Sequence, residues 1–417
     1  MGYDKMIFGN DFSVTMDSNV TQTNNNVIVV GTSGCGKSMS ITEANLLYTE
    51  ESSVVASFAK RSRVEKYIRL FRNRGYEVVD LNFSDPLHSV MGYDPLEYIT
   101  SYDDISFLAR AIISSDDRKN LEKTDPYWDQ TEISLLSALI AYEILLRDKA
   151  TMKDVIELFH RLKITSQMEV ITTSLDADFV ELEQRDFYCY AVTMWKNFKA
   201  CPLRTALCVL SSLSAIIDTV FCGECINMLK KKEKINFERI IEKKTAVFIT
   251  TSAVNPALNV FVNVFYSQMF KELFEAREKS IVEGIPIRII CDDFACGAPI
   301  YNFHKYISIC REEMISITVM LQSESQLQSI YGDYEAQTIL NNADTYVYMG
   351  GNDVKTAEHI ARRAGKNVLD ILYMPVGKEL IFRRGESGPI VADRYDLLND
   401  KEFLKISLMS EFFRRFS

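Results

Sequence analysis

Eight residues, Gly31-Thr32-Ser33-Gly34-Cys35-Gly36-Lys37-Ser38, fit the pattern G-x-x-x-x-G-K-[ST]. Glycine admits positive φ and lets backbone amides close around a phosphate. Lys37 supplies a point charge for the β- and γ-phosphates of a nucleoside triphosphate, and the Ser38 hydroxyl a ligand for Mg²⁺. The branched run Val27–Val30 before the loop predicts a strand, and the residues after it predict a helix over Ser38–Thr49. A helix starting at Ser38 turns its free amides and its dipole toward an anion. The other reading of the loop is a glycine-rich turn that binds nothing; the strand before and the helix after are the context that phosphate binding needs.

Phosphoryl transfer also requires a carboxylate for the metal. "IRIICDDFA" places Asp292 and Asp293 at the end of an apolar strand, the edge where open parallel sheets bind ligands. Asp292 is the candidate metal ligand, acting through the water shell of Mg²⁺, and Asp293 the candidate group that orients or deprotonates the attacking water. A pair of aspartates capping a helix or turn is the alternative. "ITVMLQSESQL" ends a further strand at Gln322, whose amide is suited to sensing a γ-phosphate or positioning water. A plain helix cap by Ser323 explains the same residues equally well.

The elements that must hold these groups alternate. Val27–Val30, Val54–Phe58 and Glu77–Leu81 read as strands with helices between them, which implies a parallel sheet covered on both faces. From about Asp103 to Lys234 strand signals mostly vanish, and "DQTEISLLSALIAYEILL", "MKDVIELFHRL" and "LRTALCVLSSLSAIIDTVF" have helical apolar spacing. Strands return at Ala246–Thr250, Ile287–Cys291, Ile317–Leu321 and Tyr346–Met349, and "ELIFRRGESGPIVAD" reads as a hairpin turning on Gly385–Gly388. The expected organisation is an α/β nucleotide-binding domain split into residues 1–100 and 236–417, with an inserted all-α domain over 101–235.

Composition bounds the function. The chain has 417 residues, 47% apolar and 25% charged, with a net charge of −10, which argues for a large folded core and against a protein that coats DNA along its whole surface. Purely apolar runs are too short to cross a bilayer, and no basic-then-apolar leader opens the chain; a cytoplasmic protein is expected. The nine scattered cysteines suit reduced thiols. Cys222-Gly-Glu-Cys225 is a lone pair without further zinc ligands, and no metal is assigned to it. Lys60–Arg74 carries seven basic residues in fifteen; it is a candidate nucleic-acid face, with a solvated helix surface as the commoner reading.

Taken in order, several blocks resemble the type IV coupling proteins, the hexameric RecA-like ATPases of conjugation and type IV secretion. They are "NNNVIVVGTSGCGKS", "RGYEVVDLNFSDP", "DPYWDQTEISLLSALIAY", "TAVFITTSA", "FYSQMFKELFEA", "IRIICDDFACGAPIYNFHKYI", "LQSESQLQSIYG" and "ILNNADTYVYMGGND". The resemblance implies a RecA-like fold that binds ATP and Mg²⁺ between subunits of a ring and drives single-stranded DNA, or a relaxase–DNA complex, into a secretion channel. It implies that the helical insert recognises substrate, and that Arg311 in "ICREEMISI" reaches the ATP of the neighbouring subunit, with a solvated helix end as the alternative for that residue. It further implies recruitment to the inner face of the membrane, here without the family's N-terminal membrane anchor. Three other departures stand out: Asp-Asp at 292–293 replaces Asp-Glu, "SFAKRSR" at Ser57–Arg63 replaces a stretch like "DPKGE", and a glycine after the Arg311 position is missing from "REEMIS". These motivate a second expectation, an adaptor that binds nucleotide without fast hydrolysis and recruits substrates through its helical insert, and leave a protein cargo open.

Overall fold

Unbroken apolar runs rich in β-branched residues become strands buried on both faces. In a computed structural model, which describes residues 2–115, 126–167, 170–221, 223–252, 256–279, 284–292, 294 and 299–416, all four residues of Val27–Val30 and all seven of Ile315–Leu321 are buried. In chain order the strands are β1 (Lys5–Ile7), β2 (Ser13–Thr15), β3 (Val27–Val30), β4 (Ser53–Phe58), β5 (Glu77–Asn82), β6 (Ile164–Gln167), β7 (Val170–Thr173), β8 (Thr245–Thr250), β9 (Ile287–Cys291), β10 (Ile315–Leu321), β11 (Thr345–Tyr348), β12 (Lys378–Arg383) and β13 (Ile390–Asp393).

Nine of them form one sheet in the order β13-β12-β11-β3-β10-β9-β4-β8-β5. From β11 to β5 every pairing is parallel, and β12 and β13 extend the edge as an antiparallel hairpin. The turn of that hairpin carries Gly385 at φ 93°. Alternation along β3 divides the core: Val27 and Val29 face one apolar layer, Ile28 and Val30 the other. The first layer is closed by helices Ala44–Leu47 and Arg61–Asn73, through Leu46, Val64, Tyr67 and Phe71.

The second layer is closed by the long helix Pro256–Lys279 and by the helices between β5 and β8. These include Tyr102–Ser114, Pro126–Leu146, Met152–Arg161, Asp176–Arg185, Tyr190–Lys199 and Leu203–Val220. Their apolar faces merge with the sheet's face into one contiguous core. Buried Asp94, just past β5, fastens this region: its Oδ1 accepts from the amides of Leu96 and Met152, both at 3.1 Å, and burial pushes its carboxyl up to about 6. The segment also contains the β6–β7 hairpin, short strands that the helical spacing around them concealed. Leu203–Val220 is long and apolar enough, by length and composition, to cross a membrane; here Val209, Leu213, Ile216 and Val220 bury one face in the core.

Candidate nucleotide site

Four neighbouring strands, β3, β10, β9 and β4, end on the same edge of the sheet, and each delivers part of one cavity of about 320 Å³. β3 supplies Ser33, Gly34, Gly36, Lys37 and Ser38; β10 supplies Gln322; β9 supplies Asp292; β4 supplies Phe58, Ala59 and Lys60, with Arg63 one helical turn on. Strands about 4.8 Å apart put the P-loop and the Asp292 tip two spacings, about 10 Å, from each other, with Gln322 between them.

The loop is shaped by its glycines. Gly34 and Gly36 have φ of 80° and 96°, and neither would bring a Cβ within 3.4 Å of another group, so their side of the loop is open toward a ligand. Gly31 is required for the opposite reason: a Cβ there would lie 2.6 Å from the Cys35 sulfur. The Thr32 amide donates to the Gly350 carbonyl at 3.1 Å and the Gly31 amide to the Leu321 carbonyl at 3.1 Å, which fixes the loop's entry to β11 and β10. The helix after it begins at Ser38, and its first stretch, Ser38–Glu43, is wound as π-helix before becoming α-helical at Ala44–Leu47. Such windings concentrate at functional sites.

Lys37 is buried, and its Nζ donates to the Gly31 and Thr32 carbonyls, the latter at 3.1 Å. Asp292 is 7% exposed. Its carbonyl accepts from Ser57 Oγ at 3.2 Å, which joins β9 to β4 beneath the cavity. Burial, reinforced by the Asp292 charge, pushes the adjacent Cys291 thiol up to about 12, so this cysteine is not a nucleophile at neutral pH. Further down β9, the buried Arg288 donates to Asn45 Oδ1 and Thr49 Oγ1, tying the strand that carries Asp292 to the helix that carries Ser38.

The expected site residues therefore divide. Ser33, Gly34, Gly36, Lys37, Ser38, Asp292 and Gln322 line one cavity, and Gly31, Thr32 and Cys35 shape its loop. Ser323 caps the helix Glu324–Asn341 by accepting from the Gln326 amide at 3.2 Å, so the cap and the cavity position of Gln322 coexist. Asp293 and Cys222 lie outside the described residues. Arg311 is elsewhere: it precedes β10 at the sheet's opposite edge, in a separate cleft with Tyr3, Asn25 and Ser316. Seven strand residues at about 3.3 Å each put it about 23 Å from its own P-loop.

Two cavity residues, Lys60 and Arg63, went unread as phosphate-facing groups. The sequence offers the segment that holds them as a nucleic-acid face or a solvated helix surface, and not as part of the nucleotide cavity. The rule that pointed to Asp292, a polar group at the carboxyl tip of a parallel strand, applies equally to the tip of β4. Arg63 lies 3.5 Å from buried Glu43 on the π-wound segment, and Lys66 holds the same carboxylate at 2.5 Å.

The donor set fits a triphosphate with Mg²⁺. Three cations and an amide line the cavity beside the open faces of Gly34 and Gly36, and the Ser38 hydroxyl and the Asp292 carboxylate are hard oxygen ligands in the same lining.

Comparison with known proteins agrees with this geometry. The family described as type IV secretory system, conjugative DNA transfer, matches residues 4–371. No curated protein matches the chain. Among solved structures, the bacterial conjugative coupling protein TrwBdeltaN70, in an unbound monoclinic form, superposes with a TM-score of 0.66 at 16% identity, over 94% of this chain and 89% of that one. The plasmid coupling protein TrwB in complex with ADP and Mg²⁺ gives 0.61 at 16% identity, over 89% and 85%. VirB4 of Thermoanaerobacter pseudethanolicus gives 0.59 at 13% identity, over 94% and 96%. At these identities the likeness establishes the RecA-like P-loop fold.

Proposed function

The chain belongs to the type IV secretory system conjugative DNA transfer family, and from that premise we propose that it is an ATP-hydrolysing coupling protein, a motor and receptor that recruits DNA or a relaxase–DNA complex and drives it into the secretion channel from the cytoplasmic side. The observation that carries the reading is the convergence of Lys37, Ser38, Asp292 and Gln322 on one cavity at four adjacent strand tips. The TrwB complex with ADP and Mg²⁺ supports the choice of ligand.

In this reading the P-loop amides and Lys37 bind the β- and γ-phosphates, and Lys60 and Arg63 add positive charge from the β4 side. Ser38 and Asp292 would hold Mg²⁺, whose charge would offset that of the phosphoryl oxygens. Gln322 orients the attacking water, and Asp293 accepts its proton. Arg311 serves a neighbouring copy: its side chain is exposed, enters no ion pair among the described residues, and is too far from its own cavity to act there. That division requires a ring, which we take to be hexameric. Residues 1–100 and 236–417 form the nucleotide-binding unit, and 101–235 the part that meets substrate.

The test is ATP turnover by the purified chain across protein concentration, with and without single-stranded DNA. The motor reading expects turnover that rises with both and is abolished by Lys37→Ala. Nucleotide binding without turnover under every condition would instead assign the adaptor role, and no binding would remove both.

A further inference from the structure

Behind the phosphate loop, the residue that follows β13 reaches the loop from its closed side. Arg394 donates through one terminal nitrogen to the Cys35 carbonyl and through the other to the Met349 carbonyl. One planar fork thus bridges the P-loop to the tip of β11, beside the contact that excludes a Cβ at Gly31. The third guanidinium nitrogen, Arg394 Nε, is buried and has no hydrogen-bond partner among the described residues.

Both carboxyl oxygens of Glu379 share that condition, on a side chain that is 0% exposed. Glu379 lies on β12 opposite Ala392. Its Oε1 is 3.2 Å from where a Cβ on Gly9 would stand, and Gly9 itself bridges to Arg394. Buried Glu379 and half-buried Arg394 therefore stand near one junction with no ion pair formed between them, each with hydrogen-bonding capacity unused. The charges that act on Glu379 are Arg394 and Asp393, and Asp393 also pairs with Lys378 at 2.7 Å.

We propose that Arg394 is a positioning residue for the phosphate loop, shared between two sets of acceptors: the Cys35 and Met349 carbonyls, which hold the loop against β11, and the Glu379 carboxylate, which draws the guanidinium away from them. The role rests on the reading of that loop as the nucleotide cradle. Burial pushes Glu379 up to about 8. Near neutral pH it is mostly protonated and competes weakly for Arg394. As it ionises, the charge-assisted pairing strengthens and the loop loses its rear anchor.

The experiment uses Cys35 as a reporter within the loop. The alkylation rate of Cys35 by N-ethylmaleimide, read by peptide mass spectrometry, is divided by that of exposed Cys208, and the affinity of a fluorescent ATP analogue is measured on the same samples at pH 7 and pH 9. Arg394→Gln is expected to raise the Cys35 to Cys208 ratio and weaken the analogue, each by about tenfold. In the unmodified protein the ratio is expected to rise and affinity to fall between the two pH values, and Glu379→Gln is expected to flatten both trends. An unchanged ratio in Arg394→Gln, or a pH trend that survives Glu379→Gln, would overturn the proposal. Should Arg394→Gln not fold, Glu379→Gln carries the test alone. A ratio that shifts as expected while the analogue never binds would remove the nucleotide reading and leave Arg394's hold on the loop in place.

Discussion

Asn26 extends the sheet with its side chain: its Oδ1 accepts the Ile317 amide at 3.1 Å, one residue beyond the point where β3 and β10 begin to pair. Its Nδ2 donates to the carbonyls of Ile307 at 3.1 Å and Asn342 at 2.9 Å. A single buried amide therefore joins the strand that launches the P-loop to the helix Phe303–Ile309, which leads to Arg311. Asn26→Ala removes four hydrogen bonds, counting the one its Oδ1 accepts from Cys310 Sγ at 3.1 Å, and leaves buried backbone groups without partners. It is expected to cost about 2–4 kcal/mol of stability, and denaturant unfolding measures it. A loss below about 0.5 kcal/mol would show that water replaces the amide without penalty.

Arg63 contributes to the cavity without being needed by the fold. Its contact with Glu43 is long, at 3.5 Å, whereas Lys66 at 2.5 Å and the Tyr67 hydroxyl at 3.1 Å hold the same carboxylate. Glu43 therefore keeps partners when Arg63 turns toward a phosphate. Arg63→Ala is expected to weaken a fluorescent ATP analogue about tenfold, the size of one charge-assisted contact, with little change in melting temperature. Equal affinities for the two proteins would remove Arg63 from the binding set.

The phosphate loop, the strand tips at Asp292 and Gln322, and the closing hairpin were legible because each is a local signal, a glycine pattern or an apolar run ending in a polar group. Lys60 and Arg63 were not, because a basic helix facing solvent and one facing a cavity have the same composition; only the tip of β4 beside β9 decides between them. Arg394 was unreadable for a different reason. It is 359 residues from Cys35 in sequence, and only the order β12-β11-β3 brings it behind the loop. The β6–β7 hairpin was hidden by its length, four residues per strand, too short for alternation to stand out from helical neighbours.

The turn that presents Arg311 carries local strain. Met314 has a left-handed φ of 52°, and its amide donates to the Arg311 carbonyl at 3.3 Å. A side chain in that conformation costs about 1 kcal/mol that glycine avoids. Met314→Gly is expected to stabilise the protein by up to about 0.5 kcal/mol in denaturant unfolding, since relief of the backbone slightly outweighs the added freedom of the unfolded chain. Destabilisation would mean that the methionine's packing outweighs the strain.

Glu379 gives the fold a dependence on pH that its exposed carboxylates do not. Its carboxyl is raised by burial to about 8, against an ordinary value of 4.5. Between those values the unfolded chain has lost this proton and the folded chain keeps it. Folding then takes up a proton, and the group's contribution to stability declines as pH rises through that window. Above about 8 the carboxylate is charged in both states and the full cost of burying it is present. Glu379→Gln removes the titration while keeping the shape. The variant is expected to gain about 4 kcal/mol over the unmodified protein at pH 8 and progressively less toward pH 5, read as paired melting curves across that range. A difference that stays constant with pH would mean that Glu379 titrates as an ordinary carboxylate, already paired with Arg394.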